Sequence, residues 1–418
     1  MRDERSISRR SFLKRTGLAA ATTPFVTARS YGRIAGANER LNVGIIGCGG
    51  MAENHLDVLL RMPDDVYVAA VSDVYETRAR HFQDVIFRVG GDVDRAVDYR
   101  QLLDRGDLDY VLIASPEHWH ARHTLDALDA GLHVYCEKPM THTVEESFAV
   151  LEKVRSTGRK MQVGVQGMSD DTYETANEAI RAGKIGPVIE AQIDYVRNYE
   201  EMGPWRTGVD TEMPQPDDLD WESWLGPAPS RPWSPRRYFE WRIFSDYSGG
   251  VATDLFIHRL TRILKACNLG VPDRVVGMGG IYLWDDGREL PDNMEMLLEY
   301  PPVEGITPGM TVHVLGTMGN ARPLEHLIRG HEASLLFTRE GWEIIDEGSG
   351  EVTERHEKGG GEDLFFHHQN LHAAIREDAP LKCDAELGLH GVVAVAGAVD
   401  SWFAKKMLNW DENRGNWA

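Results

Sequence analysis

The stretch "NVGIIGCGGMAENH", residues 42–55, decides the fold. A short apolar strand runs straight into glycines and then into residues with helical spacing. Gly47-Cys48-Gly49-Gly50-Met51-Ala52 fits the pattern G-x-G-x-x-A. The first glycine of that pattern makes the turn, and the second lets backbone approach a pyrophosphate. The closing small residue lets helix and strand pack closely. A helix N-terminus then offers N–H groups and partial positive charge to the phosphates. Gly47, Gly49, Gly50 and Met51 are therefore expected to hold a dinucleotide.

Outward from this turn the chain keeps a rhythm. Apolar strands at 41–47, 66–72, 108–114, 133–136 and 161–165 alternate with helical patterns at 51–61, 75–82, 118–130 and 145–156. Thr143 and Glu146 have capping-box spacing for the last of these. Such alternation implies a parallel sheet covered on both faces. Asp73 ends the second strand, where a carboxylate can bind both ribose hydroxyls. An acid there repels a 2′-phosphate, so NAD is expected over NADP. After residue 167 the strands lengthen and alternate with period two, as in "VIEAQIDYV" (188–196), "MEMLLEY" (294–300) and "MTVHVLG" (310–316). That pattern fits an antiparallel sheet with one polar face. A Pro/Trp-rich connection spans about 201–240, and helical patterns follow at 364–377 and 385–408. The expected organisation is a signal and linker at 1–37 and an α/β Rossmann domain at 38–166. An α+β domain with a large, mostly antiparallel open sheet then occupies 167–418.

A formal net charge of −21 argues against nucleic acid and anionic membranes as partners. The four cysteines, Cys48, Cys136, Cys267 and Cys383, show no C-x-x-C spacing and read as buried small residues. Near the N-terminus, "SRRSFLK" (8–14) precedes a modest apolar run and small residues. It resembles the twin-arginine export signal. The expectation is export as a folded protein to the periplasm, with cofactor acquired beforehand. The apolar run is too short to span a bilayer.

"ASPEHWHA" (114–121), "CEKPM" (136–140) and "GGVATDLFIH" (249–258) together resemble the Gfo/Idh/MocA oxidoreductases, with "CDAELG" (383–388) a later match. Lys138 follows the short fifth strand, at the carboxyl edge where such sheets bind ligands. The resemblance implies that Lys138 is the catalytic lysine, with Asp254 and His258 the partner carboxylate and histidine. It also implies that Ser115, Pro116, His120, Glu137 and Gln166 lie around the cofactor. Glu117 stands where many members have Asn. His118 and Trp119 either line the nicotinamide pocket or cap and pack the helix. Trp205, Arg206, Trp241 and Arg242 either meet a carbohydrate substrate or pack the long connection. His368 and His372 share a helical face with His367 nearby, but no placed carboxylate joins them, and no metal is assigned. The implied reaction is oxidation of a secondary hydroxyl on a sugar, polyol or glycoside. The alternative is a redox-neutral glycosidase that uses bound NAD. The family also implies a homo-oligomer, dimer or tetramer, paired through the open sheet.

Overall fold

A computed structural model describes residues 40–418, so the expected signal segment lies outside the described residues. The first sheet holds β1 (Leu41–Ile46), β2 (Val66–Ser72), β3 (Asp94–Ala96), β4 (Tyr110–Ile113), β5 (His133–Glu137) and β6 (Met161–Gly164). Its order is β3-β2-β1-β4-β5-β6, with every pair parallel. The strands are apolar because helices cover both faces; all four residues of β4 are buried. Strand order reverses beside β1, which opens a crevice at the carboxyl ends. The turn after β1 leads into that crevice.

Two departures from the sequence reading have simple causes. β3 reads Asp-Arg-Ala, with two of the three exposed, so hydrophobic patterning carries no trace of it. It exists as an edge strand that pairs with β2 alone. The helix expected at 75–82 runs through Glu76–Arg88, because Phe82 and Ile86 continue its buried face. The capping box forms between Thr143 and Glu146, at the head of helix Val144–Thr157.

The second sheet has ten strands. They are β7 (Val188–Val196), β8 (Arg274–Gly280), β9 (Asn293–Tyr300), β10 (Met310–Thr317), β11 (Leu327–Gly330), β12 (Ala333–Phe337), β13 (Gly341–Asp346), β14 (Val352–Glu357), β15 (Leu408–Asp411) and β16 (Asn416–Trp417). Its order is β14-β13-β12-β11-β7-β10-β9-β8-β15-β16, and only the β7–β10 pair is parallel. Burial alternates strictly along β10. One face therefore packs on helices, and the other leaves Ile189, Met278 and Leu297 exposed.

Helix Ala385–Ala404 joins the two halves. Leu389, Val392 and Val393 enter the core of the first sheet, while Ala394, Val395 and Ala398 enter that of the second. Among the described residues it is the one helix long and apolar enough to cross a bilayer. Here that composition serves two cores at once. The helix stops four residues short of the expected 408. Lys405 takes a left-handed conformation at φ 53° and turns the chain into β15, which pairs with β8.

The helix lies close enough to the second sheet that a Cβ on Gly277 of β8 would sit 2.0 Å from the Ala398 carbonyl oxygen. Gly277→Ala is therefore expected to lift the helix and cost about 1–3 kcal/mol. Thermal unfolding measures this, and an unchanged midpoint would contradict the close packing.

Candidate active site

The glycine turn is built from both of its ends. Gly47 has φ +89°, and a Cβ there would lie 2.7 Å from the Ser115 backbone nitrogen, so β1 and β4 exit side by side. Gly49 caps helix Gly50–Leu60 without any side-chain bond. The first-turn N–H groups thus lack a side-chain acceptor, and a Cβ on Gly50 would meet nothing within 4 Å. An open cradle with unsatisfied donors fits a pyrophosphate. Asp73, at the end of β2, accepts the Cys48 N–H at 2.7 Å and the Tyr75 N–H at 2.8 Å. The acid therefore fixes the turn while lining the cleft beside it. Burial raises its pKa from the ordinary value, and the nearby Arg78 guanidinium only partly opposes this. Arg78 itself lies 5.0 Å over the Tyr238 ring.

At the other end of the cleft Lys138 leaves β5 and crosses to the second half of the chain. Its Nζ donates to Asp254 Oδ1 at 2.6 Å and to the Asp254 backbone carbonyl at 3.0 Å. Arg242 Nε donates to the same Oδ1 at 3.1 Å. Burial alone would raise the Asp254 pKa, but Lys138 and Arg242 outweigh it and hold the carboxyl well below the usual range. Asp254 sits in a π-helical turn, Ala252–Phe256, which runs into helix Ile257–Ala266 carrying His258. Widened turns of this kind are frequent at functional sites. Burial first, and then the Lys138 ammonium, push His258 down to about 3. His258 is thus neutral near neutral pH, beside a charged lysine.

Glu117 explains how the π-helical turn is placed, a role that its position in the motif did not reveal. It is buried, accepting from Ser248 Oγ at 2.7 Å, Thr253 Oγ1 at 2.8 Å and the Gly249 N–H at 3.3 Å. A carboxylate from the first half therefore grips the Gly249-Gly250 turn that precedes Asp254. Beneath Lys138 lies a second unforeseen set. Glu137 Oε1 meets His55 Nε2 at 3.0 Å, and His55 Nδ1 meets His368 Nε2 at 2.8 Å. A carboxylate only accepts, so the His55 Nε2–H donates to Glu137. Chain separations of 82 and 313 residues hid both contacts from sequence patterning.

The remaining expected residues divide. Met51, Ser115, Pro116, Trp119, His120, Trp205, Trp241 and Arg242 line one cleft with the glycine turn, Asp73, Lys138, Asp254 and His258. Its volume is about 940 Å³. His120 bridges the carbonyls of Ser115 at 2.8 Å and Pro139 at 2.6 Å. His118 and Trp119 both bond the Trp224 carbonyl, so packing is one role for both. Glu137 lines the cleft, but its carboxylate turns to His55 and to the Lys138 N–H. Gln166 is not among the residues lining the cleft; it opens a short 3-10 turn, Gln166–Ser169, after β6. Arg206 is also outside it, with its guanidinium spent on Glu240 at 2.9 Å and Asp286 at 2.8 Å. His372 is taken up by Asp65 at 2.5 Å and Tyr110 at 3.0 Å.

Residues 41–165 match the family model described as "Oxidoreductase family, NAD-binding Rossmann fold". Residues 172–266 match its companion, "Oxidoreductase family, C-terminal alpha/beta domain". The chain belongs to the Gfo/Idh/MocA oxidoreductase family. Its Rossmann half is the NAD-binding domain of that family. The inositol 2-dehydrogenase of Burkholderia multivorans is 32% identical over 147 residues, 35% of this chain and 43% of that one. The match thus spans under half the length of that curated Gfo/Idh/MocA relative. Among solved structures, the aldose-aldose oxidoreductase of Caulobacter crescentus, complexed with glycerol, superposes with TM-score 0.65 at 17% identity. That superposition covers 88% of this chain and 99% of that one. The WlbA dehydrogenase of Bordetella pertussis, in complex with NADH and UDP-GlcNAcA, gives TM-score 0.64 at 16% identity, covering 89% and 99%. At these identities the likeness establishes the shared fold.

Two buried histidines, His118 and His367, and the partly buried His258 predict how this protein responds to acid. Burial is the main cause that lowers His118 and His258 to about 3 and His367 to about 4. In the unfolded chain each titrates near 6.5. Below that pH the unfolded state takes up protons that the folded state refuses, so stability falls as pH drops from about 6.5 toward 4. Each histidine contributes up to about 1.4 kcal/mol per pH unit in that window. Urea midpoints should decline there and stay nearly level from about pH 7 to 8, and His367→Gln should flatten the slope. A level midpoint down to about pH 4.5 would show that these groups do not stay neutral in the fold.

Proposed function

We propose that this chain is an NAD-dependent oxidoreductase acting on a secondary hydroxyl of a sugar, polyol or glycoside. The observation that carries this reading is the Lys138–Asp254 pair beside a neutral His258, in one cleft with the glycine turn. Backbone at Gly47, Gly49, Gly50 and Met51 would hold the cofactor pyrophosphate, and Asp73 the ribose. When bound, the nicotinamide supplies a hydride acceptor. His258 takes the hydroxyl proton on a ring nitrogen as the carbonyl forms. Lys138 has spent two donors on Asp254. Its third can reach the substrate oxygen and stabilise the charge that develops there. Asp254 aims the ammonium, and Arg242 balances the local charge. Trp119, Trp205 and Trp241 offer apolar faces to the sugar ring. Two relatives favour such a substrate: one is named for inositol, and one solved complex holds a nucleotide sugar beside NADH.

The twin-arginine motif at 8–14 supports export, and export favours a cofactor that stays bound. A second carbonyl substrate would then return the reduced cofactor to NAD in place. The outer face of the ten-stranded sheet, with Ile189, Met278 and Leu297 exposed, suits pairing of two subunits.

The first test is to denature purified protein and quantify the NAD(H) released, which is expected in stoichiometric amount. Candidate sugars are then mixed with NAD-loaded protein, and single-turnover reduction is followed. His258→Ala should slow it by a factor on the order of 10²–10⁴. Lys138→Ala should slow it by on the order of 10²–10³. Both should retain NAD, and wild-type rates in both would remove these residues from the chemistry. For export, changing Arg9 and Arg10 to Lys should leave folded precursor in the cytoplasm; an unchanged periplasmic yield on fractionation counts against the signal.

A further inference from the structure

A second cavity of about 920 Å³ adjoins the first, because Tyr195 and Arg197 line both. Arg259, Arg262, His326 and Lys358 also line it. Arg259 follows His258 on helix Ile257–Ala266, so this second cavity begins one residue from the proposed proton acceptor.

The charges facing this cavity are unevenly matched. Asp194 is taken up by His326 at 2.9 Å and by the Leu324 N–H. Glu362 pairs with Arg262 at 2.6 Å. Asp170 accepts the Thr172 N–H at 2.8 Å, and Glu325 stands exposed at the rim. Arg259, by contrast, has a buried Nε with no hydrogen-bond partner. Its guanidinium lies 5.4 Å over the Tyr195 ring, and among the described residues it forms no ion pair. Among the described residues the Arg197 guanidinium bonds only the Tyr195 hydroxyl at 2.8 Å and the Tyr199 hydroxyl at 3.2 Å. Burial, with the neighbouring Arg262 second, lowers the Arg259 pKa from its ordinary value. Arg259 is half-buried, and the one acid whose charge reaches it, Glu362, is already paired with Arg262, so an incoming anion gives Arg259 a partner of its own. The planar guanidinium fork matches the paired oxygens of carboxylate, sulfate and phosphate.

We propose that Arg259 and Arg197 form a subsite for an anionic group on the substrate, so that the sugar taken is an acidic one. This rests on the oxidoreductase reading for what happens at the neighbouring carbon, but binding at the subsite does not depend on that chemistry. The anion anchors one end of the sugar at Tyr195, and the reacting hydroxyl then falls toward Lys138 and His258. Carboxylate, sulfate and phosphate share the recognition chemistry, and the probes separate them.

NAD-loaded protein is titrated in a calorimeter with glucuronate, galacturonate, glucose 6-sulfate and glucose 6-phosphate, against glucose and galactose, at fixed ionic strength. At least one acidic sugar should bind about tenfold or more tightly than its neutral parent, as expected for a charge-assisted bond. The acid that binds best identifies the anionic group. Added salt should narrow the gap. Arg259→Gln and Arg197→Gln should each erase most of it, and Arg259→Lys should restore part. Bound NAD and circular dichroism report whether each variant folds. Equal affinity for acidic and neutral sugars, or an unchanged preference in folded Arg259→Gln, overturns the subsite. Tight binding of an acid without reduction of bound NAD in rapid mixing keeps the subsite and overturns the oxidoreductase reading.

Discussion

The contact on which the site depends is the one from Lys138 Nζ to Asp254. It starts one residue past the end of the parallel strand β5 and ends in a π-helical turn more than a hundred residues later. Both partners are largely shielded from water, with side chains 12% and 9% exposed. A shielded pair of this kind gains little net stability, since desolvation consumes most of the attraction. Its value lies in geometry. The ammonium is held at the sheet edge by the strand and aimed by a carboxylate that the other half of the chain delivers.

That delivery is itself braced. Glu117 reaches from the start of one helix to the Gly249-Gly250 turn, and its pKa is raised by burial first and by Asp254 second. Glu137 is tied to His55, and His55 to His368 on helix Leu364–Glu377. The lysine is thus flanked by carboxylates that have other donors. Only Asp254 is left to meet its charge directly. This division leaves Asp254 shared by two cations, Lys138 and Arg242, with the neutral His258 imidazole in the same cleft.

The glycine turn, the parallel strands and the alternating second sheet were all legible in the sequence. Each is written in local pattern: periodicity, turn chemistry and strand length. Lys138, Asp254 and His258 were legible because short motifs mark them. The residues that fix their positions were not. Glu117, His55 and His368 act through partners far along the chain, and no spacing rule connects such positions. Arg206 stayed open between two roles because an arginine in a Trp-rich loop looks the same whether it faces a ligand or two acids; only the fold brings Glu240 and Asp286 near it. Gln166 opens a short 3-10 turn that no local pattern announces. β3 escaped notice because an edge strand of three residues has no hydrophobic face to read.

Helix Ala385–Ala404 has a consequence for how the molecule comes into being. Its residues complete both hydrophobic cores, yet a ribosome makes them more than two hundred residues after β6. Until they emerge, the nucleotide-binding sheet has its strands but lacks part of its apolar cover, and helix Leu364–Glu377 is equally late. Both cores therefore gain their full apolar cover only once this C-terminal helix has been made.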